Sequence, residues 1–276
     1  MNKETIEGQL ATAWAARNLV YEPVTDGSTN DLVKALAEQG APHGTLVVTE
    51  EQREGRGRNA RVWLCPPGVN IAMSLLLRPR LALADAPLLT LIAGLSVAEG
   101  IEALISEART SAAGDFAVGI KWPNDVVIDG KKICGILTES ALTPEGRLKY
   151  CVIGIGINVH QTTFAEEVRE IAGSVLSVTG IRVSRSALIE KVCAAFERHF
   201  AALEEAGSLA PVREAYEKRL LNKDRPVRVL DPRGEYAGTA LGIDERGALL
   251  VRTADGEVCA VNAGEVSVRG LYHYAD

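Results

Sequence analysis

Val126-Val127-Ile128-Asp129-Gly130-Lys131-Lys132-Ile133-Cys134-Gly135-Ile136-Leu137-Thr138 decides the fold class. Two apolar, β-branched runs flank Asp129-Gly130, a dipeptide that takes the positive φ angles of a tight hairpin turn. The spacing predicts strands over 126–128 and 132–138, with another over 117–122 just before them. Residues 150–159 predict a further strand, returning after the turn residues Thr143-Pro144-Glu145-Gly146. Hairpins in succession make an antiparallel or mixed sheet. They carry neither the βαβ rhythm nor the glycine fingerprint of a dinucleotide fold.

Working outward, residues 3–17 read as a helix ending near Asn18, and 19–24 as a short strand. Asp26-Gly27-Ser28-Thr29-Asn30-Asp31 reads as a turn feeding a helix, with Leu32, Ala35 and Leu36 on its apolar side and Gly40 as its stop. Residues 45–50 and 70–77 read as strands, joined by a polar loop over 51–61. Residues 86–107 show helical periodicity, with Leu88, Leu91, Ile92, Leu95 and Ala98 on one side. A long amphipathic helix follows over 184–203, with Leu188, Val192, Ala195 and Phe196 inward. The pattern changes near Lys223. Beyond it, short strands are separated by turns such as Asp231-Pro232-Arg233-Gly234 and Asp244-Glu245-Arg246-Gly247, which predicts a small β-barrel or sandwich. The expected architecture is α+β. A mixed, largely antiparallel sheet flanked by helices occupies 1–222, and a small β domain occupies 223–276.

The chain has 276 residues, 47% of them hydrophobic, which suffices for a sizeable core and excludes global disorder. Its net charge of −6 disfavours an extended nucleic-acid partner. No apolar run follows a basic start at the N-terminus, so no secretory signal is visible. The longest uncharged run, 62–77, is broken by Pro66, Pro67, Gly68 and Asn70 and is too short to span a bilayer. The five cysteines (65, 134, 151, 193 and 259) are odd in number, scattered and never spaced C-x-x-C. That argues against a disulfide framework or structural zinc and for a reduced cytosol. His43, His160, His199 and His273 show no metal-ligand spacing, and G-x-S-x-G is absent.

Chemistry concentrates in four segments. Glu51-Gln52-Arg53-Glu54-Gly55-Arg56-Gly57-Arg58-Asn59-Ala60-Arg61-Val62-Trp63 interleaves arginines with glycines. The glycines allow close backbone approach, and the guanidinium forks suit phosphate or carboxylate. The spacing is not that of a Walker loop. Lys121-Trp122-Pro123-Asn124-Asp125 precedes the hairpin that carries Lys132, so both ammonium groups can approach one site. Read alone, each lysine is better explained as a solvated surface residue than as a ligand. Gly154-Ile155-Gly156-Ile157-Asn158 leaves room over a strand for a flat ligand or another backbone. Ser28-Thr29-Asn30 supplies a helix cap.

Taken in order, S-T-N, E-x-Q-x-x-G-R-G-R-x-x-R-x-W, K-W-P-N-D, K-K-x-x-G-I-L and G-x-G-I-N closely resemble biotin protein ligases. The motifs run from Ser28 to Asn158, and the C-terminal segment extends the resemblance as a small SH3-like β-barrel. The resemblance implies a two-step reaction. Biotin and ATP give biotinyl-5′-AMP and pyrophosphate, and the biotinyl group then passes to a lysine of a biotin carboxyl carrier domain of acetyl-CoA carboxylase or a related carboxylase. It implies that Ser28, Thr29, Asn30, Gln52 and Gly135 line the biotin site and that Gly55, Arg56 and Gly57 close over it. Arg58 would bridge the biotin carboxylate and the α-phosphate, and Lys132 would hold the same oxygens. Arg61, Trp63, Lys121, Asn124 and Asn158 would serve the nucleotide, with Mg²⁺ carried on the ATP phosphates and no protein metal ligand assigned. Asp125 is the candidate for taking the proton of the incoming lysine. The charge logic is physical. Two like charges 4 Å apart repel by about 4 kcal/mol at an effective dielectric near 20, so carboxylate and triphosphate need cations between them.

The chain departs from the family pattern at Asn59-Ala60, where a basic or varied residue and then glycine is more usual. We expect activity to survive, and we expect the loop to order on ligand binding. About 25 residues precede Ser28, fewer than the roughly 60 of a winged helix-turn-helix, so the expectation is a monofunctional ligase that does not bind DNA or membrane. A lipoate–protein ligase and a non-catalytic biotin sensor are the alternatives. Oligomeric state is left open, a homodimer included.

Overall fold

A computed structural model of the chain describes residues 1–58, 61–108, 116–231, 234–262 and 267–270. The elements run α1 (Lys3–Glu7), β1 (Asn18–Thr25), α2 (Thr29–Glu38), β2 (Thr45–Arg56), β3 (Val62–Cys65), β4 (Ile71–Leu77), α3 (Ala86–Ala108), β5 (Val118–Lys121), β6 (Asp125–Ile128), β7 (Lys131–Leu142), β8 (Leu148–Ile157), α4 (Val175–Thr179), α5 (Arg185–Ala206), α6 (Arg213–Glu217), β9 (Pro226–Leu230), β10 (Tyr236–Ile243), β11 (Leu249–Thr253), β12 (Val258–Val261) and β13 (Ser267–Gly270). Eight strands form one sheet in the order β1-β2-β4-β8-β7-β6-β5, with β3 paired to β2. Among the described strands of this sheet, only the β1–β2 pairing is parallel. The class is therefore α+β with a mixed, largely antiparallel sheet, as expected.

Period-two alternation splits this sheet into two faces. Ile153, Ile155 and Ile157 of β8 and Ile136 of β7 join the main core under α3 and α5. Val47, Leu76, Tyr150 and Val152 face α2 instead, against Val33 and Ala37. α3 is buried on nearly every side. It is long and apolar enough to cross a bilayer, but 78% of its apolar window lies inside the protein. The Asp129-Gly130 turn is present as read, with φ of 45° and 80°. Ser184 caps α5 by accepting the Ala187 N–H at 3.3 Å.

Three expectations need correction. The first helix stops at Glu7. Residues 13–15 instead donate their backbone N–H groups to the Glu197 carboxylate of α5, at 2.9–3.1 Å, and Ala16 takes a φ of 64°. The buried face of α2 is Thr29, Asn30, Val33 and Ala37, with Ala35 exposed. The helix is turned so that its first turn, with its polar side chains, lies on the sheet. The arginine-rich segment is not a loop from residue 51. β2 continues through Arg56, paired to β3, while Asn59 and Ala60 lie outside the described residues. The C-terminal strands form a small antiparallel sheet of their own, β12-β11-β10-β9-β13, as expected of a separate β domain. Its apolar side is continuous with the main core: Val227, Val229, Ala240, Ile243, Leu249 and Val251 belong to the same buried cluster as α3.

Candidate active site

A cavity of about 440 Å³ opens on the α2 side of the sheet. The strand order brings β2, β4, β8 and β7 side by side beneath it, and β3 forms one wall. Among the described residues it collects Ser28, Thr29, Asn30, Gln52, Arg56, Gly57, Arg58, Arg61, Trp63, Lys121, Asn124, Asp125, Lys132, Gly135 and Asn158. Every residue given a candidate binding or catalytic role in the sequence therefore lines it except Gly55, whose role is spatial. A Cβ there would sit 2.1 Å from Gln52 Nε2 and 2.2 Å from the Trp63 carbonyl.

One end of the cavity is neutral and densely hydrogen-bonded. Gln52 Oε1 accepts the Thr29 N–H at 2.9 Å. The Ser74 hydroxyl lies 2.7 Å from Thr29 Oγ1 and 2.6 Å from Asn30 Oδ1. Asn30 Nδ2 donates to Glu139 Oε2 at 2.6 Å and to the Leu137 carbonyl at 3.3 Å. Gly154 exists for this packing, since a Cβ would fall 2.3 Å from Asn30 Oδ1. At the rim, Arg56 grips Asp31 through both guanidinium nitrogens. That contact holds the Asp31 carboxyl below the usual range, against the opposing effect of burial.

The other end is cationic. Arg58 donates to Asn124 Oδ1 at 3.1 Å, and Asn124 Nδ2 is anchored on the Ile136 carbonyl at 3.1 Å. Burial pulls the Arg58 guanidinium below its ordinary pKa, opposed by the nearby Asp125 charge. Lys132 Nζ is 2.7 Å from Asp125 Oδ1 and 5.9 Å from the centre of the Trp63 ring. Lys121 is only 4% exposed. Asn158 is held as a wall residue, its amide donating to the Gly173 carbonyl at 3.0 Å and accepting from Asn70 at 3.2 Å. The space over the glycines of β8 is occupied by protein. The Trp63 indole lies on Gly156, where a Cβ would be 2.4 Å from Nε1. That indole N–H is buried with no hydrogen-bond partner among the described residues. With Arg56 tied to Asp31, the other four cationic lining side chains (Arg58, Arg61, Lys121 and Lys132) share a single carboxylate, Asp125, among the described lining residues, in a chain whose net charge is −6. Such focusing of one sign in a cleft suits a polyanion.

The sequence reading gave no role to Asp31 or Trp122, which lie inside its own segments, and missed Ser74 and Glu139, and also Gln161, Phe164, Val168 and Ile171 along the wall. Ser74 was visible as a hydroxyl in an otherwise apolar strand. The wall residues 161–171 carry no such local sign.

Comparison with known proteins bears on this site. Residues 21–158 match the Biotin/lipoate A/B protein ligase family, and residues 224–269 match the Biotin protein ligase C terminal domain. The chain is 34% identical over 247 residues to the biotin–[acetyl-CoA-carboxylase] ligase of Paracoccus denitrificans, covering 88% of this chain and 98% of that one. It is 38% identical over 258 residues to the bifunctional ligase/repressor BirA of Bacillus subtilis, covering 93% and 76% respectively. The biotin protein ligase of Aquifex aeolicus, solved in complex with biotin and ATP, superimposes with a TM-score of 0.74 at 30% identity, over 92% of this chain and 99% of that one. With both domain matches in order and relatives at 30–38% identity matched over three quarters or more of their length, this chain belongs to the biotin protein ligase family.

Proposed function

We propose that the chain is an ATP-dependent biotin–protein ligase that forms biotinyl-5′-AMP and transfers the biotinyl group to a carrier-domain lysine of acetyl-CoA carboxylase or a related carboxylase. The observation that carries this reading is the polarity of one cavity, neutral and hydrogen-bonding at the α2 end and cationic at the other. A bicyclic urea with a carboxylate tail, followed by a triphosphate, has that charge order.

In the first step the biotin carboxylate oxygen attacks the α-phosphorus. The bond to the β-phosphate oxygen breaks, and its electron pair leaves with pyrophosphate. Arg58 and Lys132 stand where the two anions would meet and lower their mutual repulsion. Catalysis here is positioning plus charge stabilisation, with no protein nucleophile. Arg61, Lys121 and Asn124 serve the nucleotide side, and the buried Trp63 indole N–H offers it a donor. Asn158 supports that wall. Ser28, Thr29 and Gln52 face the urea, with Arg56 and Gly57 over it. Asn30 supports the same end from behind, its amide already engaged by protein.

The described residues hold no group of three His, Cys, Asp or Glu suited to a metal. Asp125, the one carboxylate among the described lining residues, would be the protein group available to a Mg²⁺ brought with ATP, which would supply further charge neutralisation there. In the second step the substrate lysine attacks the acyl carbon, AMP leaves, and Asp125 takes the amine's proton. An amine with a pKa near 10.4 needs such an acceptor at neutral pH. The natural compartment for this reaction is the cytosol.

The test is incubation with biotin, Mg²⁺ and α-labelled ATP, with lipoate in parallel and Lys132→Ala as control. Labelled biotinyl-AMP and pyrophosphate, lost in the variant, are expected. Adenylate from lipoate alone overturns the substrate, and none with either overturns the enzyme. Asp125→Asn is expected to retain adenylation and to slow transfer to carrier domain by about 10²-fold, the usual scale of a general base. Full-rate transfer would remove that role.

A further inference from the structure

We infer that Glu139 and Ser74, neither of which lines the cavity, are positioning residues that fix the Thr29 hydroxyl as a hydrogen-bond acceptor and so select a ligand that presents an N–H at that point. The inference rests on the biotin reading of the cavity and deepens it.

The argument is donor bookkeeping. The Glu139 carboxylate and the Leu137 carbonyl only accept, so the Asn30 atom facing them, at 2.6 and 3.3 Å, is the NH₂ group. Lys34 holds the other Glu139 oxygen and keeps the carboxylate in place. The Asn30 oxygen therefore points at Ser74, 2.6 Å away, and takes the single Ser74 proton. Ser74 is left with lone pairs only, and Thr29 Oγ1 is 2.7 Å from them, so the Thr29 proton goes to Ser74. The rival acceptor, Gln52 Oε1, lies at 3.4 Å, too long to compete. Thr29, which lines the cavity, thus meets a ligand with lone pairs alone. Gln52 is fixed by the same logic. Its Oε1 accepts the Thr29 N–H, so its NH₂ is the donor that remains. The floor offers one acceptor and one donor, the complement of a urea edge, N–H beside C=O. A dithiolane ring has neither. Ser74, Asn30 and Thr29 are each at least 97% buried, so water does not reset these directions.

The test compares biotin with its two cyclic carbamate analogues, in each of which one ureido N–H is replaced by a ring oxygen of similar size. The readout is KM and kcat for adenylate formation. In the native protein one carbamate, whose oxygen lone pairs face those of Thr29, should be rejected by about 10²-fold or more in KM, since an unmade buried hydrogen bond is costly. In Ser74→Ala the Thr29 proton is free to turn toward the ligand. Discrimination between biotin and that carbamate should fall by about tenfold, with kcat and the KM for ATP little changed. Loss of packing alone would weaken both ligands equally. Glu139→Met removes Asn30's charged acceptor and should erode discrimination in the same direction. Glu139→Gln keeps an acceptor oxygen and should stay near native. Because Glu139 sits at the edge of the protein, its side chain 28% exposed, this pair carries the test if Ser74→Ala does not fold. Native protein that takes both carbamates as well as biotin overturns the inference. So does native-like discrimination in Ser74→Ala, or identical behaviour of the two Glu139 variants. Native protein that adenylates lipoate and not biotin overturns the underlying reading instead.

Discussion

At the scale of single residues, the cavity is shaped as much by missing side chains as by those present. Gly154 is the sharpest case. A methyl there would lie 2.3 Å from Asn30 Oδ1 and 3.0 Å from its Cγ, and Asn30 cannot yield without losing Ser74 or Glu139. Gly154→Ala should therefore raise the KM for biotin by about tenfold or more while leaving the KM for ATP nearly unchanged. Steady-state adenylation with each substrate varied checks this, and an unchanged biotin KM would mean the amide moves freely. Gly40, with a φ of 90° and nothing within 4 Å of a built Cβ, offers the contrast. A substitution there meets backbone strain alone and should leave both KM values alone.

At the scale of elements, what was legible in the sequence was what local chemistry fixes. Asp129-Gly130 needs only its own backbone angles, and Ser28 and Ser184 need only the first turn of their helices. The cationic residues announced themselves by type and spacing. What was not legible depends on partners far along the chain. Residues 13–15 leave the helix because Glu197 awaits their N–H groups. β2 runs on through Arg56 because β3 pairs with it. Ser74, Glu139 and Asn30 meet only because the sheet order places β4, β8 and β7 side by side while α2 crosses them.

His43 shows the same dependence and gives a pH prediction. Its Nδ1 accepts the Arg78 N–H at 3.1 Å, where β4 ends, and its ring lies 4.3 Å from that of Trp14 and 5.5 Å from Phe200. Burial holds its pKa below the ordinary 6.5, partly offset by the Glu204 charge. A histidine depressed in this way takes its proton more readily when unfolded. Its neutral form is fully compatible with folding above about pH 6.5, and stability falls as pH drops below that value. His160, also depressed by burial, acts in the same sense. Melting temperature should fall from about pH 7.5 to about pH 5.5, and His43→Asn, which keeps an acceptor but no proton to gain, should flatten that slope. An equal slope in both proteins would count against His43 as its source.

At the scale of the whole molecule, the question is whether the C-terminal sheet is a separate body or part of the catalytic core. The Trp122 indole N–H donates to the Gly247 carbonyl at 3.0 Å, and the Trp122 backbone N–H donates to Asn222 Oδ1 at 2.8 Å. Gly247, at a φ of 76°, lies so close to α3 that a Cβ would be 3.0 Å from both Leu88 and Leu91. Trp122 is 2% exposed and also lines the cavity. One side chain thus joins the second sheet to the wall of the site, within a single buried apolar cluster. Separate melting would expose the apolar faces of both parts at once. We therefore expect one cooperative denaturant transition, seen alike by tryptophan fluorescence and far-ultraviolet circular dichroism. Trp122→Phe should lower its midpoint, losing about 1 kcal/mol for the hydrogen bond and about 1–2 kcal/mol more for the vacated space. It should also raise the KM for ATP, because the wall and the sheet share that residue. Two resolved transitions in the native protein, or a Trp122→Phe variant that alters stability without touching either KM, would show that the C-terminal sheet is an appendage and that the cavity wall stands without it.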